Sequence, residues 1–166
     1  MITLVLGGAR SGKSAIAESL IDLTSPNATY VATGVAHDDE EFLARVASHQ
    51  ARRPEQCATV ECGTDLVTTL QSLNGPALID SLGTWLAQWP AFEADTDALI
   101  NALSACTHEL VIVSDEVGLG VHPSTDLGRA FRDALGTLNQ FVARRADRVL
   151  LVVAGQVISV KAASES

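Results

Sequence analysis

Apolar residues in this chain fall into short dense blocks separated by longer stretches of mixed polarity, and the two kinds of segment have different periods. Blocks at 2–6, 28–33, 58–61, 76–80, 109–114, 148–154 and 156–160 are apolar and rich in β-branched residues, which predicts strands. Segments 14–21, 38–52, 65–73, 81–89, 95–106 and 126–145 carry apolar residues at helical spacing, and several open with Asp or Ser at the N-cap position. Strand and helix alternate along most of the chain, which predicts an α/β three-layer sandwich with a mainly parallel sheet and helices on both faces. The last two strand blocks are separated only by Gly155, too little for a crossover, so they predict a C-terminal hairpin and an antiparallel edge.

In such sheets ligands gather beyond the carboxyl ends of the strands. That rule draws the segment 7–14, Thr33-Gly34, Glu61, Asp80 and Asp115-Glu116 to one rim. The first of these reads Gly7, Gly8, Ala9, Arg10, Ser11, Gly12, Lys13, Ser14, which is the pattern G-x-x-x-x-G-K-[ST]. In this pattern the glycine-rich backbone turns N–H groups toward phosphates, the lysine meets phosphate oxygens and the final hydroxyl reaches magnesium. A glycine-rich turn with an incidental lysine is the competing explanation, but the complete pattern between a strand and a helix favours a nucleotide site. It does not name a reaction. Asp80 and Asp115 are rival acids for a magnesium opposite Ser14, each also explicable as a helix N-cap or a solvated loop acid, and spacing does not choose between them.

Composition narrows the partners. The 166 residues fit one nucleotide-binding domain over 1–166, with 47% hydrophobic residues to build a core. A net charge of −9 with a pI near 4.7 argues against general attraction to nucleic acid or anionic membranes and points to a small-molecule substrate. Cys57, Cys62 and Cys106 form no zinc pattern, and their odd number argues against a disulfide framework, as expected of a reducing cytoplasm. Neither a signal-peptide pattern nor an apolar run of membrane-spanning length is present in the sequence.

Arg10, Lys13, Arg45, Arg52 and Arg53 lie in the first third of the chain, close in sequence to the glycine-rich loop. His49 lies among these arginines at the end of the predicted helix 38–52, just before Pro54, with Arg45 and Arg52 about one turn away on either side. On spacing alone, a solvated basic last turn complementing the helix dipole is the preferred explanation. The sharper reading is a nucleophile: neighbouring cations favour neutral imidazole and attract polyphosphate, and attack on phosphorus would give a phosphoramidate. His37, His108 and His122 have surface roles by default.

Taken together, GGARSGKS after the first strand, Tyr30-Val31-Ala32-Thr33 on the second, the basic helix end at 45–54 and Asp115-Glu116-Val117-Gly118-Leu119-Gly120 resemble the bifunctional adenosylcobinamide kinase/adenosylcobinamide-phosphate guanylyltransferases of cobalamin biosynthesis. Phe131-Arg132-Asp133 and Leu138-Asn139-Gln140 extend the resemblance across nearly the whole chain. It implies a P-loop NTPase, RecA-like fold in a homotrimer. It also implies two reactions: phosphorylation of adenosylcobinamide from ATP or GTP, then transfer of GMP from GTP to adenosylcobinamide phosphate with release of pyrophosphate. The implied catalytic residues are Lys13 and His49, the latter carrying transient GMP. Gly7, Gly8, Ala9, Arg10, Ser11, Gly12, Lys13 and Ser14 would hold phosphates. Ala32, Thr33, Gly34, Gln50, Ala51, Arg52 and Arg53 would line the GTP site. Glu61 and Asp80 would contact nucleotide or Mg2+, which turns the choice of acid toward Asp80 beside Ser14.

The chain departs from the family pattern at Asp115, where Asn is usual, at His122-Pro123-Ser124, where Val-Pro-Glu is more usual, and in a shorter segment between Asp80 and Glu109. Two other functions account for part of the pattern. A small-molecule P-loop kinase without guanylyl transfer explains the loop but gives His49 no task. A non-catalytic GTP-binding regulatory module is weakened by the lack of an N-K-x-D guanine motif.

Overall fold

A computed structural model describes residues 1–34 and 57–163. The predicted helix 38–52, and with it His37, Arg45, His49, Gln50, Ala51, Arg52 and Arg53, lies outside the described residues.

Strand β1 (Ile2–Gly7) is an interior strand of the sheet, and its alternation explains the layering. Ile2 and Leu4 pack into one apolar cluster and Val5 into another, because successive side chains of a strand leave on opposite faces. Strands β4 (Ala77–Asp80) and β5 (Leu110–Asp115) repeat the division: Ala77, Ile79, Leu110 and Ile112 join the first cluster, Leu78, Val111 and Val113 the second. Helix α1 (Lys13–Ser19) covers the second face through Ala17. Helices α2 (Leu66–Ser72), α3 (Leu82–Leu86), α4 (Thr96–Ala105) and α5 (Asp126–Arg145) cover the first, contributing Leu66, Trp85, Leu99, Leu103, Leu135 and Leu138 among others.

With β2 (Thr29–Ala32), β3 (Ala58–Glu61), β6 (Arg148–Val153) and β7 (Gln156–Lys161), the described residues form a 7-stranded sheet in the order β3-β2-β4-β5-β1-β6-β7. All neighbouring pairs are parallel except β6 and β7. The hairpin is as expected, with Ala154 and Gly155 both at positive φ (50° and 75°), the geometry of a two-residue turn that matches strand twist.

Helix ends have local causes. The side chains of Asp95 and Thr125 accept the Ala98 and Gly128 N–H groups at 2.9 and 3.1 Å, capping α4 and α5. Ser81 and Thr84 form a reciprocal capping box at the start of α3. The helix expected over 81–89 is shorter than its pattern, ending at Leu86 before a 3-10 turn at Pro90–Phe92. Proline disfavours helical backbone in the residue before it, and Trp89 is accordingly extended (φ −87°, ψ 135°).

Candidate nucleotide site

The glycine-rich loop follows β1, whose last residue, Gly7, pairs with Asp115 on one side and Val152 on the other. A Cβ on Gly7 would stand 2.4 Å from Ser11 Oγ and 2.9 Å from the Val152 carbonyl oxygen, so the turn closes only over glycine. The loop is secured by Ser11 N–H donating to Gly8 O at 3.2 Å and by Ile16 N–H donating to Gly12 O at 3.1 Å. Arg10 and Gly12 take positive φ (56° and 92°), turning the backbone into α1. The distant hairpin tip also braces it, since Gly155 N–H donates to Ser11 O at 2.8 Å.

Lys13 reaches back across this loop. Its Nζ donates to Gly8 O at 3.3 Å and forms an ion pair with Asp115 Oδ1 at 2.8 Å. The end of β5 is fixed from two directions. Glu116 N–H donates to Gly7 O at 3.0 Å, and the Asn139 side-chain amide donates to Asp115 O at 3.0 Å. Asn139 is itself buried and accepts the Ser114 hydroxyl proton at 2.6 Å. Buried polar groups on β5 and α5 are thereby matched, and the carboxylate of Asp115 is delivered to the loop.

The other expected residues among those described meet beside this centre. Ala32 pairs with Glu61 on one side and Asp80 on the other, placing three strand ends in one row next to β5. Asp80 accepts the Tyr30 hydroxyl proton at 2.6 Å, while its carbonyl accepts the Thr33 N–H at 3.1 Å. Thr33 is fully buried. Its hydroxyl accepts the Ser81 N–H at 2.9 Å and lies 2.5 Å from Thr84 Oγ1, tying the end of β2 to α3. Gly34 follows directly, and Glu61 is exposed on the outer strand β3. Gly7, Gly8, Ala9, Arg10, Ser11, Gly12, Lys13 and Ser14 therefore share a rim with Ala32, Thr33, Gly34, Glu61, Asp80 and Asp115. His49 and Gln50 to Arg53 lie outside the described residues.

Tyr30, Asn139 and Gly155 shape this rim without having been singled out for it individually from sequence. Tyr30, the only tyrosine in the chain, was a readable signal: a phenol in an apolar strand needs a polar partner. The other contacts depend on strand order and could not be read locally.

Ser14 and Asp80 offer hard oxygen donors of the kind magnesium takes, with substrate phosphates completing its shell. Among the described residues, no group of three or more His, Cys, Asp or Glu side chains forms a self-sufficient metal cage. None of their helices is long and apolar enough to cross a membrane.

Known proteins show the same pattern at whole-chain scale. The chain is 38% identical over 164 residues to the bifunctional adenosylcobalamin biosynthesis protein CobP of Pseudomonas aeruginosa, covering 93% of this chain and 94% of that protein. To the bifunctional adenosylcobalamin biosynthesis protein CobU of Salmonella typhimurium it is 36% identical over 183 residues, covering 97% of this chain and 100% of CobU. In fold alone it is similar to an ATPase from the type III secretion system of pathogenic bacteria, with a TM-score of 0.55 and 11% identity over 95% of this chain and 56% of that one. The family model described as cobinamide kinase / cobinamide phosphate guanyltransferase matches residues 3–160, and the chain belongs to that family.

Proposed function

We propose that this chain is a P-loop, RecA-like enzyme performing two successive transfers on one corrinoid: phosphorylation of adenosylcobinamide by ATP or GTP, then guanylylation of the product by GTP. The observation that carries this reading is the rim itself, in a chain of this family: a complete phosphate loop at the end of β1, with Lys13 paired to the strand-end carboxylate of Asp115. The fold likeness to an ATPase supports the nucleotide side of the reading.

In the kinase step the loop backbone and Lys13 hold the γ-phosphate while the corrinoid hydroxyl oxygen bonds to its phosphorus, the bond to the departing ADP or GDP breaks and the hydroxyl proton passes to solvent. The contribution of the protein is therefore positioning and charge stabilisation. In the second step an imidazole nitrogen of His49 bonds to the α-phosphorus of GTP as the bond to pyrophosphate breaks. The phosphate of adenosylcobinamide phosphate then bonds to that phosphorus as the bond to His49 breaks, giving adenosylcobinamide-GDP. Gln50, Ala51, Arg52 and Arg53 would line the GTP during this exchange. Ser14 and Asp80 would hold Mg2+, which supplies charge neutralisation at the phosphates. We place three such chains in a homotrimer.

GTP labelled at the α-phosphate tests the division of roles. The wild-type protein should acquire an acid-labile protein-bound label that His49→Ala abolishes while phosphorylation of adenosylcobinamide persists. Lys13→Ala should slow both steps, at a cost of about 3 kcal/mol in transition-state stabilisation, the scale of a lost electrostatic donor. A folded His49→Ala protein that loses both activities equally would contradict the scheme.

A further inference from the structure

Lys13 is the cation that a phosphate needs, and in this structure it is matched with an anion. The 2.8 Å contact to Asp115 Oδ1 is shorter than the 3.3 Å contact to Gly8 O, and the two side chains are only 14% and 33% exposed. Asp115 is held as part of the framework. Its backbone pairs with Gly7, its carbonyl accepts the Asn139 amide at 3.0 Å, and its other carboxylate oxygen projects over α3. There a Cβ on Gly83 would stand 2.6 Å from Asp115 Oδ2, so any larger residue would collide with the carboxylate in this position.

We propose that Asp115 is an internal counter-ion that competes with nucleotide phosphate for Lys13, and that Gly83 is the residue that makes room for it. The inference rests on reading the loop as a triphosphate site. A phosphate approaching Lys13 either displaces the carboxylate or shares the ammonium with a group of its own sign, and partial burial limits the screening of that repulsion. Both outcomes weaken ground-state binding. They also favour departure of a charged product such as pyrophosphate, because Lys13 regains an anion as the product leaves. Asp115 is a positioning residue in this scheme: it acts through Lys13.

Asp115→Asn separates charge from shape, since the amide oxygen can still accept from Lys13. Calorimetric titration with GTP and with pyrophosphate, at fixed magnesium and ionic strength, should show binding about fivefold tighter than in the wild type, the scale of one partly screened charge pair. In the Lys13→Ala background the same substitution should bring no more than a small residual tightening. Gly83→Ala, which presses on the carboxylate without altering its charge, should also tighten binding. Unchanged or weaker binding by the folded Asp115→Asn protein would overturn the proposal. So would a fivefold tightening that survives in the Lys13→Ala background, because repulsion would then act without competition for the lysine. Failure of the wild-type protein to bind GTP at all would remove the nucleotide reading together with this one, whereas binding without tightening removes only this one.

Discussion

Cys62 illustrates how position controls the chemistry of a single residue. It follows β3 and is 8% exposed. Burial, aided by the negative charge of Asp65, pushes its thiol from 9.0 up to about 11. A raised folded pKa means that the folded chain holds the proton more tightly than the unfolded one. Stability from this group is therefore complete below about pH 9 and is lost as pH rises from there toward 11. At pH 8, iodoacetamide should modify Cys62 in the folded protein on the order of tenfold or more slowly than in the unfolded chain, because the thiolate is the reactive form. Mass-spectrometric labelling rates read this directly, and equal rates would refute it. The acids at the rim illustrate the limit of residue-level reading. Spacing left Asp80 and Asp115 equivalent, and the family resemblance favoured Asp80; the fold pairs Asp80 with Tyr30 and Asp115 with Lys13. Those partners are 50 and 102 positions away in sequence, beyond any local signal.

At the scale of elements, the loop after β1 is legible because its function demands glycines, a lysine and a hydroxyl at fixed spacing within one contiguous segment. Its precise closure is not. Gly7 is constrained by Ser11 within the loop and also by the Val152 carbonyl of β6, which sequence spacing cannot place. Gly7→Ala should consequently lower the thermal midpoint and weaken GTP binding, with a stability loss of about 1–3 kcal/mol for forcing an atom into a packed site. Thermal unfolding with and without GTP measures both effects; an unchanged midpoint and affinity would show that the turn can relax. The C-terminal hairpin was readable for the opposite reason: two apolar blocks with almost nothing between them have few ways to connect. The α3 segment was overextended because its apolar period continues toward Trp89, while Pro90 acts on the backbone ahead of it.

For the whole molecule, charge opposes assembly of the proposed homotrimer. Each chain carries a formal charge of −9, so association brings like charges together and should strengthen as salt screens them. Sedimentation equilibrium should give a mass near three times 17.4 kDa, with the trimer fraction at low protein concentration rising with ionic strength. A monomer mass throughout would contradict the assembly. Within the chain, alternation along β1, β4 and β5 already separates two faces, since a period of two dictates which residues point the same way. The sequence by itself determined the α/β alternation, the phosphate loop, the terminal hairpin and the set of strand-end residues, all of which depend on neighbours along the chain. Only the tertiary structure decided that β5 lies between β4 and β1, that Asp115 meets Lys13, and that Gly155 braces Ser11. Strand order is settled by burial of both sheet faces at once, a condition that couples residues across the whole chain and leaves no local pattern to read.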